Sequence, residues 1–494
     1  MRVPMLSVAV LATILMTGSH GAQAANTLPF VSRLYSNDMV LQRDHVVPVW
    51  GWTAPGSKVS VEIGGRTFST KASPSGSWET DLPRMHAGGP YTLTVKGIST
   101  RTFTNVMVGD VWLCSGQSNM QFGVGNLLHP NKVEAAADYP NLRLYNVLMD
   151  ISPTPLKTLS ANRAYYHANE WLTCTPTNIK QGSWNGFSAV AYYFGRDLDR
   201  SLKIPIGLIH SSWGGTIAEA WTSAHALETM PDFTAAAERM ANFPASMRPG
   251  DPNQVTVLYN AMIAPLEKFP IKGVIWYQGE SNVGRAQQYR TLLPTMIQDW
   301  RTRWNEGNFP FYIVQIAPWQ AVKPQPSQSA WAELQEAQAI TARTVPNSGL
   351  ATCIDIGDPT NIHPKDKSDV GKRLCLLALK HTYHKNVVDS GPTYKSMKIM
   401  GNKAIITFAH ANGGLKVMDT TLAHGDTIQG FAIAGADRKW VWANAKIVGN
   451  KVVLGSPDVA HPLAVRYAWA DAPICNLFNG ADLPAPPFRT DHWK

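Results

Sequence analysis

After its N-terminal segment the chain has no apolar run near the roughly 20 residues that a membrane-spanning helix requires, so no membrane span is expected in the body of the protein. Charge is sparse too. Asp, Glu, Lys and Arg make up 16% of the residues, and the basic excess that gives a net +9 is scattered. With no basic run and no nucleic-acid-binding motif, that excess argues against a nucleic-acid partner and fits at most a mild attraction to anionic glycans. Cysteine is limited to Cys114, Cys174, Cys353, Cys375 and Cys475, an odd number with no CxxC pair. This argues against a zinc ribbon or a dense disulfide framework; at most two bridges could form and the spacing requires none. Cys114 and Cys353 lie in apolar runs, where cysteine acts as a small buried hydrophobe. No H-E-x-x-H and no clustered His/Asp set is present, so no metal is expected. The G-x-S-x-G elbow of the α/β-hydrolases is also missing, because Met120 stands where its last glycine would be. Long-period repeats and low-complexity linkers are absent as well.

What is present begins with a leader. Arg2 precedes the short apolar stretch "MLSVAVLATILMTG", and "AQA" at 22–24 supplies small residues for cleavage after Ala24. Residues 1–24 are therefore read as a secretory signal, and the mature protein as secreted or periplasmic. Residues 25–106 alternate in period two ("VVPVWGW", "KVSVEIGG", "YTLTVKG") between Gly- and Pro-rich turns, which predicts a small β-sandwich. From 107 to 388 the pattern changes to short, non-alternating apolar strands at 111–114, 142–147, 206–210, 273–277, 311–317 and 350–356. Helical patterns at 188–202, 288–304, 332–344 and 367–381 lie between them, as in an α/β fold with a parallel sheet buried on both faces. Residues 389–494 return to short strands and end in an extended, proline-rich tail. The 17 tryptophans are numerous, and most are expected in cores and turns.

Four polar clusters follow four of these strands: "SGQSNM" after 111–114, "HSSWGGT" after 206–210, "QGESN" after 273–277 and "GDPTNIHP" after 350–356. Open parallel sheets bind ligands beyond their strand C-termini, so the four clusters should share one rim. Each has a plain role on its own. Ser118 could be a turn serine, Gly214-Gly215 a tight turn, Gln278, Glu280 and Asn282 caps of the next helix, and His363 a surface histidine. Together they hold what acyl transfer needs. Ser118 would be the nucleophile and His363 the base that takes its proton. Donors for the oxyanion would come from Gly214 or Gly215, Gln278 and the Ser118 N–H.

The motifs "GQSNM", "WGGT", "YQGESN" and "IHPKD", in that order, resemble the sialate O-acetylesterase group of the SGNH (GDSL-like) hydrolases. The resemblance extends over the mature chain through "NDMVLQRD", "PVWGW", "AGGPYTL", "GDVWLCSGQSNM", "VRYAW" and "LPAPPFRTD". It implies a three-layer α/β/α core with a parallel sheet, flanked by N-terminal and C-terminal β-rich regions, and a serine esterase without cofactor or metal that releases acetyl groups from carbohydrate. By position, Ser118 matches the nucleophile, His363 the base, the 214–215 pair an oxyanion glycine and Gln278 a third oxyanion donor. Asn119, Glu280 and Asn282 are taken as substrate-binding. One departure stands out: many members carry Asp three residues before the histidine, where this chain has Thr360. The orienting role would then fall to Asp358, to Asp355 or to a main-chain carbonyl, with Glu280 a weaker candidate.

The favoured substrate is an O-acetylated sialic acid. Acetylxylan or another acetylated polysaccharide is the alternative with the same chemistry, and a non-catalytic carbohydrate-binding protein the alternative from another class.

Overall fold

The computed structural model describes residues 28–161, 167–244 and 247–493, so the expected signal segment lies outside the described residues. Its centre is a seven-strand path in the order Ser348–Ala351, Phe311–Val314, Gly273–Tyr277, Thr100–Gly116, Ile206–Ser212, Tyr139–Asn146 and Trp171–Cys174. All neighbours are parallel except the last, which runs antiparallel to Tyr139–Asn146. The chain starts at Thr100–Gly116, crosses to Tyr139–Asn146, returns through Ile206–Ser212 and then builds the other side. The strand order therefore reverses at the end of Thr100–Gly116, where ligands bind in sheets of this kind.

The apolar runs are buried on both faces, as their lack of alternation predicts. Trp112, Cys114, Leu208, Ile275, Tyr277 and Tyr312 point into one core with helices Ala189–Leu202 and Ser368–Leu377. Leu113, Ile209, Val274, Trp276 and Ile313 point into the other with helices Ala286–Trp304 and Ala330–Thr344. Large rings fill both layers, and truncating a fully buried one such as Trp300 to Ala would cost about 3–5 kcal/mol. Two of the helices begin on serine caps: Ser188 accepts from the Ala191 N–H and Ser329 from the Ala332 N–H.

The expected N-terminal β region is present as a two-stranded sheet (Val47–Trp52 with Ser77–Leu82) facing a second sheet formed by Lys58–Ile63, Arg66–Lys71 and Gly88–Lys96. The second sheet is not separate from the core. Gly88–Lys96 pairs antiparallel with the first part of the 17-residue strand Thr100–Gly116, whose last part is the middle of the central sheet. The boundary expected between 106 and 107 thus falls inside one strand.

At the other end, the four-stranded sheet Thr393–Met400, Lys403–Ala409, Lys451–Gly455 and Asn444–Val448 packs against a second one. The second is built from Val441–Trp442, Phe431–Ala434, Ala464–Tyr467 and Phe488–Arg489. Ile406, Phe408, Phe431, Ile433, Val452 and Tyr467 fill the space between them. The apolar alternation over 439–448 reads as one strand but forms two, because the chain changes sheets at Ala443. This region also supports the site: Thr421 donates through its N–H to the Asp355 carbonyl (3.1 Å) and through Oγ1 to the Gly357 carbonyl (2.8 Å), holding the loop that leads to His363. All five cysteines are buried and unpaired. No helix among the described residues is long and apolar enough to cross a membrane.

Candidate active site

The strand Thr100–Gly116 delivers the first cluster to the switch point. Gly116 has φ +144°, and a Cβ there would stand 2.1 Å from the Tyr277 carbonyl oxygen, so only glycine lets the two strand ends approach. Gln117 then locks the turn to the next strand. Its N–H donates to the Tyr277 carbonyl (3.0 Å), and its Oε1 accepts from the N–H groups of Gly279 (3.2 Å) and Ser281 (3.3 Å). Ser118 opens the single helical turn Ser118–Gln121 and is half-buried. Its main-chain N–H has no acceptor among the described residues. The same holds for Gly215, which is exposed in a left-handed conformation (φ +76°). Gly214 differs. Its N–H is donated to Gln121 Oε1 (2.7 Å), and an added Cβ would lie 3.0 Å from that oxygen and 3.2 Å from Ser118 Cβ. The glycine pair therefore divides the work: Gly214 allows close approach to the serine, and Gly215 keeps an unused donor.

His363 sits half-buried with its ring edge-on to Trp184 (centroids 4.9 Å apart, 84° between planes). Burial, and secondly the positive charge of Lys367, pull its imidazole down to about 4. It is thus neutral, and able to accept a proton, at any pH near neutrality. No hydrogen bond joins the ring to the Ser118 hydroxyl or to a carboxylate among the described residues; contacts of this kind often tighten only once substrate is bound. The connection between the two loops runs through their neighbours instead. Asn119, fully buried, donates from Nδ2 to the Ile362 carbonyl (3.0 Å) and to Glu280 Oε1 (2.6 Å).

Other side chains expected at the site have partners of their own. Asp358 Oδ1 accepts from the N–H (2.9 Å) and hydroxyl (2.8 Å) of Thr360, which holds its carboxyl below the usual range. The residue that replaces the family's aspartate thus captures the one that was expected to substitute for it. Asp355 is also committed, bidentate at 2.7 Å to Nη1 and Nη2 of buried Arg373. Gln278, expected as an oxyanion donor, is fully buried and gives both Nε2 hydrogens inward, to the Thr216 carbonyl (3.1 Å) and Asn282 Oδ1 (2.7 Å). Its Oε1 accepts from the Tyr289 hydroxyl (2.9 Å). Asn282 is equally enclosed, donating to Glu219 Oε2 (2.9 Å) and accepting from the Ala218 N–H (3.0 Å). The side-chain amides of Asn119, Asn282 and Gln278 are thus all engaged by other groups of the protein. Glu280 keeps one oxygen on Asn119, while its Oε2 is buried without a hydrogen-bond partner; burial raises the carboxyl above its ordinary value.

Sequence reasoning passed over Lys367, Gln121 and Trp184. Gln121 carried a signal, since three residues after Ser118 is one helical turn and faces the same way. Lys367 and Trp184 carried none in one sequence. Among the described residues no group of His, Cys, Asp and Glu could hold a metal ion.

A serine at the switch point of a parallel sheet, a neutral imidazole and unengaged main-chain donors are the parts of a serine hydrolase with an α/β core. Comparison with known proteins narrows it. The family model "Carbohydrate esterase, sialic acid-specific acetylesterase" matches residues 108–380. The chain is 31% identical to the human sialate O-acetylesterase, with 92% of this chain and 91% of that protein aligned, and 30% identical to the mouse enzyme, with 92% of each aligned. A solved carbohydrate acetylesterase from Xanthomonas citri superposes with a TM-score of 0.83 at 38% identity, covering 94% of this chain and 99% of that one. The chain belongs to the sialic acid-specific acetylesterase family of carbohydrate esterases, as the motifs implied. It is a carbohydrate-acting esterase that removes acetyl groups.

Proposed function

We propose that the reaction is carried by a Ser118–His363 pair. Ser118 Oγ attacks the acetyl carbonyl carbon while the neutral imidazole takes its proton. The N–H groups of Ser118 and Gly215 hold the oxyanion that forms. Collapse of the intermediate expels the sugar oxygen, which receives the proton from the imidazolium. A water molecule, deprotonated by His363, then releases acetate and restores the serine. The observation that carries this reading is the position of Ser118 at the strand-order reversal, tied through Asn119 to the peptide that precedes His363. Orientation of the imidazole is assigned to packing against Trp184 and to the loop backbone, where the His363 N–H donates to Asn361 Oδ1 (3.0 Å), rather than to an aspartate.

The substrate we infer is an O-acetylated sialic acid, supported by the family and by relatives named for that activity. Residues 1–24 are read as an export signal, and 25–106, 107–388 and 389–494 as the three regions of the protein. Two assays test the reading. Ser118→Ala should lower turnover of 4-nitrophenyl acetate by about 10^3-fold or more with the fold intact; more than a tenth of the wild-type rate would overturn the assignment. Acetate release from O-acetylated mucin should exceed that from acetylxylan, and the reverse order would move the substrate to plant polysaccharide.

A further inference from the structure

Lys367 stands where stability alone would not put it. It occupies the N-cap of helix Ser368–Leu377, a position that favours a short acceptor side chain and disfavours a cation. It is also fully buried (0% exposed), and burying an ammonium is costly unless it is well held. What holds it points at the catalytic turn. Its Nζ donates to Asn119 Oδ1 at 2.6 Å and lies 4.9 Å from the Phe122 ring centroid and 5.5 Å from that of Tyr277. Asn119 and Phe122 flank Ser118 in its own turn, and Tyr277 ends the adjacent strand. The amide that accepts from Lys367 spends its hydrogens on Ile362 and Glu280. One ammonium therefore joins three of the four polar clusters: the serine turn, the "QGESN" turn and the histidine loop.

We propose that Lys367 is a positioning residue for the reaction, fixing the Asn119 amide so that Ser118 and His363 keep their relative placement and adding a positive charge to that cluster. The inference rests on the Ser118–His363 reading above. The charge resists protonation of His363 in the resting enzyme, so the base stays free. The groups that bear on Lys367 are Glu280, Asp366 and Cys353, with burial the largest influence; burial lowers its ammonium to about 8, so it remains charged through neutrality.

The test compares Lys367→Met, which removes both charge and donor, with Lys367→Gln, which removes only the charge. In Lys367→Met, kcat should fall about 10- to 100-fold, as for a small misplacement of reacting groups, with KM changed less than threefold and thermal stability somewhat lowered, because the buried Asn119 Oδ1 loses its donor. Lys367→Gln should recover part of kcat through a hydrogen bond to Asn119. In both variants the acid limb of kcat/KM should move up from about 4 toward the ordinary imidazole range. A purely structural lysine would lower stability without moving that limb. A folded Lys367→Met with kcat within twofold of wild type, or with an unmoved acid limb, overturns the proposal. So does an acid limb near 6.5 in the wild type, a measurement that needs no variant. Inactive Ser118→Ala together with fully active Lys367→Met would sink this inference alone, whereas active Ser118→Ala would sink the catalytic pair beneath it.

Discussion

Replacing each of the two aspartates near His363 by asparagine separates support of the loop from support of the imidazole. Asp358→Asn keeps an oxygen that can accept from the Thr360 N–H and hydroxyl, the only side-chain partner Asp358 has among the described residues. The turn survives, and kcat should stay within about threefold of wild type, against the loss of about 10^4 expected when a true triad aspartate is changed. Asp355→Asn is a different perturbation. Both carboxylate oxygens lie 2.7 Å from Arg373, and the two side chains are 8% and 6% exposed. An amide can offer Arg373 only one acceptor and turns an NH2 toward the other guanidinium nitrogen. Breaking such a buried pair costs about 3–5 kcal/mol, here toward the lower end because Asp369 Oδ2 stays 3.6 Å from Arg373 Nη2. The expected result is a clear fall in thermal and urea midpoints with a near-normal kcat per folded molecule. Active-site titration of the folded fraction followed by steady-state assay with 4-nitrophenyl acetate would read both quantities. A drop in kcat of about 10^3 or more in either folded variant would refute the dyad argument and restore an aspartate to the catalytic set.

Gln278→Ala should act on stability as well as rate: it orphans the Thr216 carbonyl, at about 1–3 kcal/mol for a buried group left unpaired, and leaves the Tyr289 hydroxyl only its 3.3 Å bond to the carbonyl of residue 278. A folded variant of wild-type stability with a large, isolated loss of kcat would return Gln278 to the oxyanion hole. Gly214→Ala should cut kcat sharply, since the new methyl would sit 3.2 Å from Ser118 Cβ and 3.0 Å from Gln121 Oε1; a normal rate in that variant would show that the serine turn has room to move. Acid should weaken the fold through His210, buried between Asn146 and Ser212, whose imidazole is lowered by burial to about 3. The unfolded chain binds that proton more readily than the folded one between about pH 6.5 and 3, so stability falls as pH drops through this window. The loss approaches about 4–5 kcal/mol at its foot, and denaturant titrations of the wild type and His210→Gln should differ there; parallel curves would contradict it. Activity should persist in EDTA because proton transfer to His363 generates the nucleophile, and inactivation reversed by added zinc would overturn that mechanism.

The parts of this molecule legible in its sequence are those decided by local pattern. "GVIWY" reads as a doubly buried strand and is one, Gly273–Tyr277, with every residue buried. Strand Trp171–Cys174 was missed because an antiparallel edge strand with two half-exposed positions does not form a continuous apolar run. "KWVWANAKIV" reads as continuous, yet Val441–Trp442 and Asn444–Val448 pair in different sheets, a choice made by distant partners. The site follows the same division. Loop position at the strand ends was visible for Ser118, Gly214, Gln278 and His363. Side-chain commitment was not: Gln278 and Asn282 look like free amides until Thr216, Glu219 and Tyr289 come in from elsewhere in the chain. Asp358 is engaged for a reason contained in its own loop, since an Asx turn onto Thr360 is a local motif. Lys367 was invisible, because nothing in "HPKDK" separates a buried lysine from a solvated one.

The strand Thr100–Gly116 has a consequence for how this protein can be inherited and altered. Its first residues are an edge of the N-terminal sheet and its last residues lead into the turn that holds Ser118, the proposed nucleophile. No recombination point exists between those two functions, because a cut near residue 106 would leave each half with a severed strand and an unsatisfied hydrogen-bonding edge. The N-terminal region is therefore not an exchangeable attachment of the kind joined by a linker. It travels with the catalytic sheet or is lost with it. Substitutions in that sheet act on the same strand that ends at Gly116, two residues before Ser118.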